Sequence, residues 1–198
     1  MAISLDPANE IQWVKEGRVF HATHGALTTP AAFETDLAVG TPDLAVRVPG
    51  GTVMVPLRVR IETEATGAAV FQVLIRGCDN DIGTSGRTAF TPINVNTRYA
   101  AVGGKCGALI TSTGNCTTPT NTADLLRVYV QPDIDAVTGT AHFDQVVYSP
   151  LQGRGIPAVI GSSSIPHGFL VYVGNGTSAT GYIEAYWAEF TYDEFYAA

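Results

Sequence analysis

Between Thr52 and Ala65 the chain reads TVMVPLRVRIETEA, and in it Val53, Val55, Leu57, Val59 and Ile61 alternate with Met54, Pro56, Arg58, Arg60 and Glu62. Side chains leave a pleated strand on alternate sides, so this period of two predicts one face in a core and the other in solvent. An amphipathic helix cannot carry that pattern. Strands with one wet face belong to antiparallel sheets. Pro56 has no N–H to give to a ladder and is expected at an edge or a bulge.

The rest of the chain reads the same way. Short strands are expected at 18–23, 43–48, 68–76, 93–99, 107–112, 125–131, 143–149, 169–174 and 182–192, with turn signals such as PGG at 49–51, TGN at 113–115 and VGNG at 173–176. The strand at 68–76 is apolar on both faces, and the bend at Gly67 makes it the expected hairpin partner of the alternating strand. No long stretch shows a helical apolar period; a turn or two of helix is expected near 7–13 or 122–126. Many short strands without βα alternation predict an all-β fold, an antiparallel β-sandwich or jelly roll of about eight to ten strands, over residues 17–198. Residues 1–16 read as an extended N-terminal arm. There Pro7, Asn9 and acidic residues interrupt isolated apolar anchors, Ile3, Leu5, Ile11 and Trp13, which need something to receive them. A neighbouring subunit is one such receiver.

Composition narrows what such a body does. Charged residues make up 15% of the chain, and Lys15 and Lys105 are its two lysines. Surfaces built for contact are depleted of charge, and of Lys in particular. A net charge of −7 argues against a nucleic-acid partner, which requires a basic face to displace counterions. No membrane span is expected, because the longest apolar run, AAVFQVLI, is short and contains Gln72. Asp6 and Glu10 stand where a signal peptide would need a basic residue followed by an apolar run, so synthesis in the cytoplasm is expected.

The chemistry-bearing residues do not assemble into a motif. His21 and His24 are three apart, which on a strand places them on opposite faces, so they cannot share a metal. Asp79 and Asp81 open GCDNDIGTSG like a calcium loop, but the twelfth position is Phe90, where a bidentate Glu would be needed. GSSSIPHG at 161–168 brings serines near His167 without a nucleophile elbow. Asp133 and Asp135 form no distinctive carboxylate pair. Cys78, Cys106 and Cys116 match no zinc spacing and read as free thiols, with a Cys106–Cys116 bridge left open for an oxidising medium. No catalytic residue, metal or cofactor is therefore expected.

The C-terminal stretch GYIEAYWAEFTYDEFYAA concentrates Tyr182, Tyr186, Phe190, Tyr192, Phe195 and Tyr196. Aromatics with polar tips suit surfaces half covered by another molecule. Taken with the arm, the scarcity of lysine and long Thr/Gly/Asn loops such as TSTGNCTTPTNTAD, the pattern from Arg18 to Tyr192 resembles the single jelly-roll structural proteins of virus particles. In particular it resembles the capsid cement or decoration proteins of tailed phages. The resemblance implies a virion component made in the host cytoplasm. It implies a homo-oligomer, a trimer, that bridges major capsid proteins and has no catalytic residues. Ile3, Leu5, Ile11 and Trp13 would then anchor the arm, and the aromatic tail would make trimer or lattice contacts. On this reading, deleting residues 1–16 weakens assembly and leaves the β fold intact. The rival expectation is a phage tail or fibre domain, or a carbohydrate-binding sandwich, that holds a surface glycan with the same aromatics and the Asp79–Asp81 loop.

Overall fold

The computed structural model describes residues 7–26, 28–34, 37–64, 71–83, 87–110, 115–130, 144–174 and 180–196. Its strands fall into two antiparallel sheets. The first runs β10 (Asp144–Tyr148), β4 (Thr52–Glu64), β13 (Thr180–Thr191), β1 (Val19–His24), β7 (Ile93–Asn94), with β11 (Ile160–Ser162) also on β4 and β2 (Ala31–Ala32) also on β13. The second runs β6 (Thr88–Phe90), β8 (Gly107–Ile110), β3 (Leu44–Val48), β12 (His167–Gly174), β5 (Phe71–Cys78), β9 (Ala123–Val130). Taking the principal strands in chain order as β1, β3, β4, β5, β9, β10, β12 and β13, the two sheets read first–eighth–third–sixth and second–seventh–fourth–fifth. That order is a jelly roll. Nearly every connection crosses the sandwich, so the expected hairpin between β4 and the following strand does not form: β4 pairs with β13 in one sheet and β5 with β12 and β9 in the other.

Between the sheets lies a core that includes Leu44, Val46, Val59, Ile61, Val73, Ile75, Phe169, Val171, Ile183 and the fully buried Trp187. Each sheet also buries part of its outer face. Loops cover Ala45, Leu74, Leu170 and Tyr172 on the second sheet, which is why β5 and β12 are apolar on both sides. On the first sheet Val53, Val55, Leu57, Ala188 and Phe190 form an outer cluster with Val19 and Trp13.

Pro56 explains how one alternating strand feeds two clusters. The register of β4 against β13 passes from Pro56 opposite Trp187 to Arg58 opposite Tyr186, leaving Leu57 as the extra residue of a bulge. On the other side of β4, β11 pairs with Thr52–Met54 and β10 with Val59–Thr63. Pro56 thus sits in the gap between these two neighbours, where no ladder bond is asked of it. The bulge inverts the phase. Met54 points inward before it and Val59 and Ile61 after it, while Val53, Val55 and Leu57 point outward. The single buried face read from the alternation is therefore two half-faces on opposite sides of the sheet.

The outer cluster of the first sheet is closed by helices. Residues Pro7–Lys15 form α1, with Pro7 in the first turn, where its missing N–H costs nothing, and Glu10 and Lys15 placed to suit the helix dipole. Gly17, at φ +73°, ends it: Gly17 N–H donates to Val14 O at 3.0 Å and Arg18 N–H to Trp13 O at 2.9 Å, a Schellman closure. A Cβ at Gly17 would also strike the Tyr99 ring. The chain turns back on itself here, so residues 7–15 are not the extended arm the sequence suggested, and Trp13 is received by its own sheet, 5% exposed and edge-on to Phe190 at 5.4 Å. Ile3 and Leu5 lie outside the described residues. A second short helix, α2 (Tyr192–Tyr196), ends the aromatic tail, with Tyr192 and Phe195 packed on the same cluster. Arg18 ties the two helical ends together, donating to Glu16 at 2.7 Å and to both Glu194 oxygens at 2.9 and 2.5 Å, above the Phe190 ring.

Glu189 holds the loop before β8 against β13. Its carboxylate accepts from Trp187 Nε1–H at 2.8 Å, Lys105 N–H at 2.6 Å and Cys106 N–H at 3.2 Å. Glu189→Gln replaces one acceptor with a donor that faces a backbone N–H, and is expected to cost about 1–2 kcal/mol in denaturant titration. An unchanged midpoint would show that this bond set adds nothing.

Candidate functional site

Most of the residues that the sequence singles out for chemistry are committed to structural bonds. His21 and His24 leave β1 on opposite faces, as their spacing predicts. His24 is 6% exposed, with Nδ1 2.8 Å from Asp43 O and its ring edge-on to Phe33. His21 faces outward, 2.8 Å from Thr23 Oγ1, and burial lowers its pKa. In the 161–168 segment Ser162 Oγ donates to Ile165 O at 2.8 Å and accepts from Ile165 N–H at 2.9 Å, closing the turn before β12.

The acidic loop is a clasp. Asp79 accepts from Thr120 Oγ1–H at 2.9 Å and Asn121 Nδ2–H at 2.7 Å, which lowers its pKa, while Asn80 Oδ1 accepts from Thr120 N–H at 2.7 Å. Asp81 takes both arms of Arg47 at 2.6 and 2.7 Å and the Gly83 N–H at 3.0 Å. Among the described residues no three His, Cys, Asp or Glu side chains gather as a metal site would require. Cys78, Cys106 and Cys116 are free and buried. Cys106 lies between the sheets and Cys116 on the outer face of the second sheet, so the bridge that their spacing left open is not formed. Asp133 and Asp135 lie outside the described residues.

What remains is surface. Beyond the part covered by α1 and α2, the outer face of the first sheet presents cross-strand rows fixed by register: Ile93, His21, Tyr186 and Arg58, then Thr23, Glu184, Arg60 and Val147, then Tyr182, Glu62 and Gln145. His21 and Tyr186 stack with centroids 4.6 Å apart. Arg60 pairs with Glu62 and lies 3.8 Å from Glu184, and Gln145 Nε2–H donates to Glu62 at 3.1 Å. This face therefore carries aromatic and paired polar groups with little net charge. Ile93, 63% exposed, lies at its margin on edge strand β7.

The residues read as interface anchors divide three ways. Trp13 and Phe190 are buried within the chain, because the outer cluster needs both rings. Tyr182, Tyr186, Tyr192 and Phe195 are half-buried. Ile11 at 65% and Tyr196 at 51% stand exposed, Tyr196 packed on Tyr192 and Phe195 at 4.7 and 5.1 Å. The sequence reading missed Tyr129 on edge strand β9, 66% exposed, and Ile156, Val159 and Ile165 around β11, 59%, 38% and 57% exposed. An unpaired edge with an outward aromatic was their signal, and it is visible once the strand order is known. No family model matches the chain, and no curated protein matches it significantly.

Proposed function

We propose that this chain is a virion structural protein, a capsid cement or decoration protein of a tailed bacteriophage that acts as a homotrimer and bridges major capsid proteins. One observation carries the reading. Edge strand β9 pairs on one side with β5, and among the described residues its other side is met by Ile156 N–H on Leu125 O. Soluble monomers blunt such edges with Lys, Pro or a cover. Here Asp124, Arg127 and a bulge at Leu125 protect the first half of the strand, while its second half, from Val128 to Val130, carries no charge and turns Tyr129 outward at 66% exposure. An apolar stretch of edge that no described strand pairs with, on a body poor in lysine, suits contact with another copy or with a lattice. In a closed three-fold ring contacts are heterologous, so β9 of one copy meets a different surface of the next. Many shallow contacts repeated by symmetry then give strong attachment from modest individual affinities.

Sedimentation equilibrium of the full chain, followed by co-sedimentation with undecorated phage capsids, tests this. A trimer that pellets with capsids is expected, and Tyr129→Lys is expected to shift the mass toward monomer and reduce occupancy while leaving the circular dichroism spectrum of the folded chain unchanged. A monomer that stays in the supernatant overturns the reading.

A further inference from the structure

The strongest unassigned feature lies where α1 meets the open half of the first sheet. A cleft of about 200 Å³ opens there with an apolar floor of Val14, Val19, Leu57 and Val95. Tyr186 forms a wall, held upright by its stack on His21. Around this floor stand Glu10, Arg58, Ser149 and Gln152: an acid, a cation, a hydroxyl and an amide. Arg60, next in line on the same face, is tied to Glu62 and Glu184. Arg58 is exposed and, like the side chains of Glu10, Ser149 and Gln152, makes no hydrogen bond or ion pair with any described residue. Burial raises the Glu10 pKa, in keeping with its place at the cleft wall.

Convergence of polar groups without a partner among the described residues on an apolar floor is the usual anatomy of a small-molecule site, and this one is smaller than a drug-sized pocket. It suits one ring or one side chain. A protein side chain of that size presents polarity at one end, whereas these four groups surround the floor and include donors and acceptors of each type. The ligand that matches is a ring with an apolar face of C–H groups and hydroxyls around its rim. We infer that the cleft bounded by Tyr186, Arg58, Glu10, Ser149 and Gln152 binds a single neutral pyranose unit of a glycan. The apolar face of the sugar lies on Val14, Leu57 and Val95. The Arg58 fork donates to adjacent hydroxyls, Glu10 accepts from one, Gln152 closes the rim, and the buried Ser149 offers its hydroxyl from below. A neutral sugar fits better than an acidic one, because the unpaired charges at the rim are one of each sign. This site is separate from the β9 edge, so either reading can stand without the other.

Saturation-transfer difference NMR on the full chain with glucose, galactose, mannose and N-acetylglucosamine at millimolar concentration tests the site. At least one sugar should receive saturation, and its titration should shift amides of α1, β4 around Arg58 and residues 149–152. Arg58→Ala and Glu10→Ala should each weaken that binding about tenfold, as expected for loss of a charged hydrogen-bonding partner. Tyr182→Ala, on the same face outside the cleft, should leave it unchanged. Retained near-ultraviolet circular dichroism in each variant separates loss of binding from loss of fold. No transfer to any of the four sugars, or transfer that survives both cleft variants undiminished, overturns the assignment.

Discussion

Trp13→Ala is expected to lower the folding free energy by about 3–5 kcal/mol, the range for emptying a large buried aromatic site. The ring is 5% exposed and closes the outer cluster over Val53, Val55, Leu57, Ala188 and Phe190. These residues sit on β4 and β13, the two longest strands of the first sheet, so the cavity opens against the middle of that sheet's outer face. Collapse into it is limited, since α1 is anchored at its C-terminal end by the Gly17 closure and by Arg18. Urea titration followed by circular dichroism measures the change as a lower midpoint at constant slope. Ile11→Ala, on the same helix at 65% exposure, should shift stability by less than about 0.5 kcal/mol. Equal effects of the two substitutions would show that α1 does not pack as described. Deleting residues 1–16 would carry the same loss, so the expectation that such a deletion spares the β fold is withdrawn. Removing residues 1–6 takes away Ile3 and Leu5 while keeping Trp13, and is the cleaner probe of assembly.

Asp43 should make the protein less stable as pH rises from about 4 to about 7. Its carboxylate is fully buried at the start of β3, accepting from Glu34 N–H at 2.8 Å and Val173 N–H at 2.6 Å. Desolvation outweighs these bonds and pushes its pKa from 3.8 up to about 7. The charge of Glu34 adds to the rise. Arg87 opposes it electrostatically from the other side, its own Nη2–H on Pro42 O at 3.2 Å. Where the pKa is raised, the folded state keeps a proton that the unfolded chain has released, so raising the pH withdraws stability; below about 4 both states hold it and the contribution is complete. His21, His24 and His167 act in the opposite sense, because burial lowers their pKa values below 6.5. Comparison with Asp43→Asn at each pH cancels them. Between about pH 5 and pH 7.5 the wild type should lose roughly 2–3 kcal/mol relative to that variant, at about 1.4 kcal/mol per unit at most. A gap that does not change with pH would mean that Asp43 titrates in its ordinary range.

How much of this could be read from the sequence depended on distance along the chain. Alternation is local, so the strands around Val59, Val171 and Ile183 were legible from neighbours two residues away. Strand partnership in a jelly roll is remote, and a bend at Gly67 was taken for a hairpin when β4 in fact pairs with β13. The bulge beside Pro56 was signalled by the proline itself, but the inversion of phase it causes was not, because the residues on both sides of it are apolar and the alternation runs through it unbroken. A turn or two of helix near residues 7–13 was legible, but not where it packs: the partners of Trp13 on β4 and β13 are remote in sequence, so the segment read as an arm. The rim of the cleft was illegible in principle, since Glu10, Arg58, Ser149 and Gln152 come from three separate segments and become neighbours through the fold alone.

The position of β13 between β4 and β1 constrains how the protein is made. During translation the early strands leave the ribosome with their apolar faces bare, and the strand that must lie between them is the last of the described strands to appear. Folding of this sheet therefore waits on its latest strand and is expected to be slow, as for any topology dominated by distant pairings. Nascent chains would depend on chaperones, and a premature stop ahead of residue 180 would yield material for proteolysis and not a working fragment.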